Sequence, residues 1–275
     1  MRTRRQALGQ HFLHHQPTIG KIASLVETEL ANASARGRQA RTLLEVGPGK
    51  LALTKPLLSL SESHNLELVL VERDKLLEEG IRDGAPKAQV HFLDAANDAF
   101  LELVDTLISR QKTPLFFASN LPYSASSQIL ANLCYRSNHV AGCVVMVQKE
   151  LALRMVAGPG TGDRGSLSLL IQSYFDAKIA FDVGPGAFSP PPRVMSSVLR
   201  LIPHARPLIA DLKSAQGFER FCKQLFSQRR KMIRKLIPAD KHALLFPKLD
   251  ISGTERPETL DLKTLIELYR GVSEN

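Results

Sequence analysis

The sequence predicts an α/β protein with a mainly parallel sheet that carries helices on both faces, followed by a small all-helical C-terminal domain. From residue 41, short β-rich runs alternate with stretches of helical spacing, which is typical of parallel strands joined by crossover helices. After Pro203 and Pro207 the pattern is wholly helical. A chain of 275 residues is long for one domain. We therefore expect a larger domain over residues 1–205 and a helical domain over residues 206–275.

Five apolar runs in the larger domain have the length and composition of strands. In chain order they cover residues 42–46, 66–71, 89–93, 114–119 and 140–147. The segments between them are predicted helices at residues 51–60, 75–81, 99–109 and 126–135. Two stretches rich in Gly and Pro predict loops, at residues 158–162 and 184–192, the second a stiff one over the sheet edge.

The end of the chain is assigned from the residues that follow these loops. Residues 196–202 predict a last strand. Beyond it, five apolar residues at helical spacing indicate the C-terminal helices, and they are Phe218, Phe221, Leu225, Met232 and Leu236.

Charge favours a polyanionic partner. Lys and Arg number 36 against 27 acidic residues, a net charge of +9. Clustered cations gain affinity for nucleic acid by releasing its condensed counterions. Residues 219–235 concentrate this charge, with seven Lys or Arg and one acid. The alternative is a solvated helix face, but like-charge crowding opposes folding unless a partner neutralises it, so we predict phosphate contacts from Arg229, Arg230, Lys231 and Arg234.

Other features of composition bear on the compartment. The longest aliphatic run, Val140–Val147, is far too short to span a bilayer. Arg2, Arg4 and Arg5 have no apolar stretch behind them, which argues against a secretory signal. The three cysteines form no C-x-x-C pair. We expect a reduced, cytoplasmic protein with no membrane segment and no metal site.

Ligands of parallel sheets bind beyond the carboxyl ends of the strands, so the residues after each run are candidate site residues. Gly47 and Gly49 follow the first run, where the backbone can pass close under a ligand. Glu72 closes the second run and can accept ribose hydroxyls, while Asp94 follows the third and can accept the amino group of an adenine. Together they predict a pocket for an adenosine-containing cofactor.

Each of these residues also has a purely structural interpretation. The glycines suit a tight strand-to-helix turn, and Asp94 suits a capping aspartate. Asp74, two residues beyond Glu72, suits a helix cap better than Glu72 does. The glycine pattern with Glu72 also fits a nicotinamide dinucleotide site, so the cofactor stays open at this point.

The fourth run ends in Asn120-Leu121-Pro122-Tyr123, which indicates methylation of an exocyclic amine. The lone pair of adenine N6 is delocalised into the ring, and a catalyst must direct it toward an electrophile. The Asn120 amide oxygen and the Leu121 carbonyl can accept the two N–H bonds. Pro122 stiffens the turn and Tyr123 offers a flat face to the base. Four residues alone are also ordinary turn chemistry.

Six motifs follow one another along the chain. They are Leu8-Gly9-Gln10-His11-Phe12-Leu13, Glu45-Val46-Gly47-Pro48-Gly49, Asn120-Leu121-Pro122-Tyr123, Gln148-Lys149-Glu150, Ala187-Phe188-Ser189-Pro190-Pro191-Pro192 and Phe226-Ser227-Gln228-Arg229-Arg230-Lys231. In this order they resemble the KsgA-type rRNA adenine N6,N6-dimethyltransferases, and six ordered motifs are far more specific than any one of them.

The resemblance implies a Rossmann-like methyltransferase sheet with S-adenosylmethionine as methyl donor. It implies as substrate two adjacent adenosines in the 3′-terminal hairpin of small-subunit rRNA, and a role in ribosome biogenesis. The larger domain would be catalytic and the helical one would bind RNA. A monomer is the simpler expectation, acting on rRNA within a pre-assembled small subunit.

The resemblance also assigns roles. His11 and Leu13 would line the methionine side of the cofactor, above Gly47 and Gly49. Glu72 would bind its ribose and Asp94 its adenine. The catalytic set would be Asn120, Leu121, Pro122, Tyr123 and Phe188. In it Asn120 would touch both cofactor and target, and Phe188 would face Tyr123 across the flipped base.

Three positions depart from the family pattern. His11 stands where Asn is most often found, Ser119 replaces the usual Gly, and Met195 stands where Asp is common. His14 and His15 add imidazoles beside His11, but no acid or cysteine joins them. Neither Ser119 nor Met195 removes a predicted acceptor.

Three rival functions remain at this stage. A large-subunit rRNA methyltransferase of the Erm type would share the core, but the triple-proline loop and the motif ending in Lys231 favour the KsgA type. A nucleic-acid-binding relative without activity is disfavoured because the predicted catalytic positions are intact. A nicotinamide-dependent oxidoreductase leaves residues 120–123 unexplained.

Overall fold

A computed structural model describes residues 10–209 and 212–273. The N-terminal residues Leu8 and Gly9 of the first motif, like Arg2, Arg4 and Arg5, lie outside this range. The strands of the described part are β1 (Phe12–Leu13), β2 (Thr42–Val46), β3 (Glu67–Glu72), β4 (Gln89–Phe92), β5 (Leu115–Asn120), β6 (Val140–Gln148), β7 (Phe175–Val183), β8 (Phe188–Ser189) and β9 (Ser196–Pro203).

Seven of these strands form one sheet in the order β4-β3-β2-β5-β6-β9-β7. The first five are parallel, and β9 pairs antiparallel with both β6 and β7. The strand order reverses between β2 and β5, because the chain runs outward from β2 to β4 before it returns to β5. Such a switch point opens a crevice at the carboxyl ends of the two strands.

Helices connect the strands and cover the sheet. In chain order they are α1 (Gln16–Ala35), α2 (Thr54–Ser63), α3 (Glu78–Gly84), α4 (Asp98–Gln111), α5 (Ser126–Cys134), α6 (Lys149–Val156), α7 (Ser166–Tyr174), α8 (Leu212–Ser227), α9 (His242–Lys248) and α10 (Leu262–Ser273).

Apolar side chains of the sheet point alternately to two core clusters. In β2, Leu43 belongs to one cluster and Leu44 to the other, and both are fully buried. Since side chains alternate along a strand, this pattern places a packed core on each face. The predicted α/β fold with helices on both faces is thereby confirmed.

Several elements of the larger domain are not predicted from the sequence. No element is expected at α1, α6, α7 or β7, nor at the short strands β1 and β8. Yet α1 buries Ile19, Ile22, Val26 and Leu30 at the spacing of one helix face. β7 is an outer strand whose side chains alternate in character, with a register shift between Ile179 and Phe181.

The C-terminal segment is helical, but not as one continuous pattern. α8 ends at Ser227, and the chain then passes through a turn and a short 3₁₀ segment, Ile233–Lys235. The helical spacing predicted up to Leu236 is therefore wrong beyond Ser227. Phe218 of α8 and Leu265 of α10 are fully buried in the same cluster as Leu169 of α7, so these helices share a core with the sheet.

Candidate nucleotide and methyl-transfer site

A cavity opens at the switch point between β2 and β5. It is bounded by the β1 segment, by the turns that follow β2 and β3, and by the segments after β4 and β5. All the predicted cofactor residues and the predicted tetrapeptide line it, namely His11, Leu13, Gly47, Gly49, Glu72, Asp94, Asn120, Leu121, Pro122 and Tyr123. The structure thus brings together residues that are far apart in sequence.

The glycine turn after β2 forms the floor of the cavity. Gly47 and Gly49 have φ angles of +74° and +54°, in the left-handed region that favours glycine. A Cβ on Gly49 would lie 3.0 Å from Cδ1 of Phe12, so a side chain there would push against the ring. The Gly47 N–H donates to the Val71 carbonyl at 2.8 Å, which fixes the turn against β3.

The two predicted carboxylates are held by local donors. Glu72 Oε1 accepts the N–H groups of Arg73 and Asp74 at 2.8 and 2.9 Å, and its Oε2 accepts the Gly49 N–H at 3.2 Å. Asp94 accepts the Ala96 N–H at 2.9 Å and pairs with the Arg73 guanidinium at 3.1 Å. Each carboxylate faces the cavity in a fixed orientation and keeps acceptor capacity for a ligand.

Asp74 has the capping role expected of it. Its carboxylate accepts the Leu76 N–H at 3.2 Å at the start of a 3₁₀ turn, and it also accepts from the Gln10 amide at 3.1 Å. The Gln10 contact ties the N-terminal segment to the cavity wall.

Two acceptors at the end of β5 are left open. The Asn120 Oδ1 atom is buried and no donor in the described part of the chain reaches it. The Leu121 N–H donates to the Met146 carbonyl at 3.0 Å, while its own carbonyl receives no hydrogen bond from the described residues. The next carbonyl differs, since Pro122 accepts the N–H groups of Ala125 and Ser126 and begins the turn into α5.

Tyr123 is fixed on two sides. Its hydroxyl hydrogen-bonds to the Ser196 hydroxyl at 2.6 Å, and Ser196 is fully buried at the start of β9. Its ring lies 5.8 Å from that of His11, with the planes tilted by 32°. Burial raises the pKa of Tyr123, so the phenol stays neutral at physiological pH.

His11 is itself anchored. Its Nδ1 lies 2.8 Å from the Pro190 carbonyl. Since a carbonyl only accepts, Nδ1 carries the proton, and in the neutral ring Nε2 is left as an acceptor. The residue that departs from the family pattern therefore joins the proline-rich loop to the cavity.

Phe188 is not among the residues that line the cavity. It is 2% exposed and packs in the cluster on the α1 face of the sheet, where its strand β8 pairs with β1 opposite Leu13. Its predicted contact with the base stays a prediction, and it requires the side chain to become exposed.

The sequence assigns no role to Glu45, which lines the cavity, or to Ser119, which lies next to Asn120. Glu45 in β2 is 1% exposed, and this burial raises its pKa to about 8. The nearby Glu72 carboxylate adds a smaller increase, and Thr54 acts in the opposite direction. Ser119 accepts the Val46 N–H at 2.8 Å and so joins the ends of β2 and β5. The available signals were a carboxylate within an otherwise apolar strand and a hydroxyl where the family has Gly.

The predicted RNA-binding cations fall into two groups. Arg229 donates to Glu258 at 2.7 Å and to the Gly162 carbonyl at 3.1 Å, and Arg234 donates to the carbonyls of Gly253 and Ser252. Arg230 is exposed and forms no ion pair within the described part of the chain, and Lys231 contacts only the Gln228 amide oxygen among those residues. Two of the four cations thus serve the fold and two remain available.

Two further properties concern membrane contact and the cysteines. Within residues 10–209 and 212–273, no helix is long and apolar enough to cross a membrane. Cys134, Cys143 and Cys222 are buried, and burial raises the pKa of each thiol.

Comparison with known proteins gives full-length relatives. The chain is 35% identical over 265 residues to the ribosomal RNA small subunit methyltransferase A of Aeromonas hydrophila, covering 96% of this chain and 92% of that one. It is 34% identical to the protein of the same name from Acinetobacter baylyi, with coverage of 96% and 90%.

Two solved structures share the fold. A dimethyladenosine transferase from Plasmodium falciparum superimposes with a TM-score of 0.70 at 21% identity, covering 94% of this chain and 96% of that one. The 23S rRNA methyltransferase ErmE gives a TM-score of 0.66 at 20% identity, with coverage of 96% and 100%. The model of the family described as ribosomal RNA adenine dimethylase matches residues 1–254. The chain belongs to the ribosomal RNA adenine dimethylase family.

Proposed function

We propose that the protein uses S-adenosylmethionine to dimethylate N6 of two adjacent adenosines in the 3′-terminal hairpin of small-subunit rRNA. Its relatives named small subunit methyltransferase A support this substrate over the large-subunit one. As a member of the family, the protein is an S-adenosylmethionine-dependent rRNA methyltransferase.

The open acceptors at the end of β5 carry the proposal. A buried amide oxygen without a donor costs about 1–3 kcal/mol, so such a group is retained where a ligand supplies the donor. Asn120 Oδ1 and the Leu121 carbonyl belong to consecutive residues at the cavity wall. Together they match the two N–H bonds of an adenine amino group and would orient its lone pair.

The remaining cavity residues fit an adenosine-containing methyl donor. The glycine turn allows close approach of a ligand, and the Glu72 and Asp94 carboxylates stand at successive strand ends to accept hydroxyl and amino donors. A bound S-adenosylmethionine would supply an activated methyl group at its sulfonium, so the protein needs to position the amine rather than supply a strong base. We assign no general base, because the surplus proton of the methylated amine can leave to water.

The second methylation needs a further contact, because monomethyl-adenine has one N–H left. We infer that stacking on Tyr123 holds the base through this round, with the ring fixed by Ser196. In the proposed arrangement Phe188 supplies the opposite face. Phe188→Ala is expected to raise the monomethyl share of the product, and an unchanged product ratio would exclude Phe188 from this role.

The partner is proposed to be rRNA within a partly assembled small subunit in the cytoplasm, with the enzyme acting as a monomer. Extrusion of the target base costs about a few kcal/mol, which stacking offsets. Arg230 and Lys231 are available to bind phosphates at the C-terminal segment.

The decisive experiment is mass analysis of rRNA from cells that lack the protein, complemented with wild type, Asn120→Ala or Asn138→Ala. Asn138 is exposed and lies before β6, at the amino end of the strands, so it serves as a matched control. We expect adjacent dimethyladenines with wild type and Asn138→Ala, and their loss with Asn120→Ala. Full modification by Asn120→Ala would contradict the proposed role of the acceptor.

A further inference from the structure

A groove lies beside the methyl-transfer cavity and shares one wall with it. Phe12, Leu13, Lys50 and Ala52 line both. The groove extends from this wall along the first turns of α1 and the start of α2. Its remaining lining residues are His14, Gln16, Ile19, Gly20, Leu51, Lys55, Pro56 and Ser189.

The two charged side chains that line this groove are both cations. Lys50 and Lys55 are exposed, and neither forms an ion pair within the described part of the chain. His14, Gln16 and Ser189 add exposed polar groups, and none of the groove's lining residues is acidic. An acid-free concave surface with two unpaired ammonium groups has a positive potential, because low-dielectric walls focus the field in a cleft.

The position of Lys50 fixes this charge close to the methyl-transfer cavity. Its Nζ lies 5.1 Å from the centre of the Phe12 ring, a cation–π contact that holds the side chain at the shared wall. Lys55 lies five residues further on, in the first turn of α2. The two cations therefore extend from the edge of the cavity into the groove.

We propose that this groove binds the phosphodiester backbone of the rRNA next to the target adenosine. The inference rests on the proposed function and adds a second phosphate-binding surface to the C-terminal one. When the target base leaves its stack and enters the cavity, the phosphates on either side of its ribose come close to the cavity rim. Cations at the rim can bind these phosphates and so hold the RNA strand in place. Binding releases condensed counterions and makes the interaction depend on salt.

The test measures how log(kcat/KM) falls with log of the salt concentration, with small subunits from cells lacking the protein as substrate. The variants are Lys55→Gln, Lys50→Gln/Lys55→Gln and the control Lys112→Gln. Lys112 is exposed and precedes β5, at the amino end of the strands and away from the groove. We expect Lys55→Gln to reduce the slope by about 0.7–0.9 and the double variant by about twice that, with no change for the control.

Lys55→Gln decides the outcome, because Lys55 lies outside the lining of the cofactor cavity. A wild-type slope in Lys55→Gln would overturn the proposal, whereas a reduced slope with unchanged S-adenosylmethionine affinity would support it. An equal reduction by Lys112→Gln would show a general charge effect and would also overturn it. A wild-type protein without methyltransferase activity on these subunits would instead overturn the proposed function.

Discussion

Glu45 shows how burial at the site changes the chemistry of a single residue. It lies in β2 beside fully buried leucines, and burial raises the pKa of its carboxyl group to about 8. At neutral pH it is therefore mostly protonated, a neutral group beside the turn that forms the floor of the cavity. In the protonated form the Glu45 carboxyl group carries no charge, so it does not repel the nearby Glu72 carboxylate.

The raised pKa predicts a pH-dependent stability. Between about pH 4.5 and 8 the folded protein keeps a proton that the unfolded chain loses, so the free energy of unfolding falls as pH rises through this window. Glu45→Gln removes the effect. We expect the variant to gain stability relative to wild type by several kcal/mol from pH 5 to pH 8, at about 1.4 kcal/mol per pKa unit. Urea titrations of the cofactor-free proteins at each pH measure this difference. If the free energy of unfolding changed with pH in the same way for wild type and Glu45→Gln, the buried, protonated state of Glu45 would be contradicted.

Ser119 predicts a second effect at the residue scale. Its hydroxyl accepts the Val46 N–H where β2 and β5 have ceased to pair, and the residue is 1% exposed. Ser119→Ala leaves that N–H without a partner, which costs about 1–3 kcal/mol, and loosens the glycine turn against Asn120. We expect reduced stability and weaker S-adenosylmethionine binding, measured by denaturation and calorimetry.

A matched control separates this effect from the loss of any buried hydroxyl. Ser173 is also buried, but its hydroxyl donates to the Leu169 carbonyl within α7, so Ser173→Ala leaves no N–H unpaired. If both variants lost the same stability and bound the cofactor equally, the Ser119 bond would have no special role at the site.

At the scale of elements, the contacts of the basic segment after α8 predict different tasks for its cations. Arg229 attaches the segment to Glu258 and to the Gly162 carbonyl, while the Arg230 side chain remains exposed. Sequence alone presents these neighbours as equivalent cations. The contacts predict that they are not.

Substitution should separate the two tasks. Arg230→Gln is expected to lower the salt slope of RNA binding by about 0.7–0.9 with unchanged stability. Arg229→Gln should mainly destabilise the protein, by about 1 kcal/mol, because it breaks a partly exposed ion pair and a bond to a carbonyl. Filter binding over a salt series and thermal unfolding provide the measurements. Equal slopes and equal melting temperatures for the two variants would refute the division.

The elements also show what the sequence makes predictable. The parallel strands are apolar runs with clear ends, so β2 to β6 and the residues after them were predicted close to their observed positions. The helical spacing in α1 and the alternation in β7 are also readable, but neither was assigned. Beyond the end of α8, Arg229 and Arg234 contact the distant carbonyls of Gly162 and Gly253, and local spacing carries no information on such contacts.

The same distinction applies to the site. The residues at or just after the ends of β2, β3, β4 and β5 meet because parallel strands end at one edge, and this rule predicts the cavity from sequence. The buried position of Phe188 and the hydrogen bond between Tyr123 and Ser196 depend on the pairing of β8 with β1 and of β9 with β6. Such tertiary placement follows from packing between distant segments rather than from local pattern.

At the scale of the whole molecule, residues on the two sides of the predicted division at 205 and 206 share one apolar cluster. Phe218 and Leu265 pack with Leu169 in the cluster that also contains the sheet residues. Arg164, 1% exposed, donates to the carbonyls of Glu258 and Leu260 and thereby joins the two regions through buried polar contacts. Breaking such contacts leaves an unpaired buried guanidinium, which is strongly destabilising.

This shared core predicts that the two regions unfold together. We expect one unfolding transition in calorimetry, with equal calorimetric and van't Hoff enthalpies. Separating the C-terminal helices from the sheet would expose the apolar face of α7 and leave the buried Arg164 guanidinium without its acceptors. For the same reason, residues 1–205 alone should bind a hydrophobic dye and fail to bind S-adenosylmethionine tightly, although the cavity is lined by residues of that region. Two separate transitions, or a truncated protein with native affinity for the cofactor, would show that the regions are independent and that the shared cluster contributes little to the site.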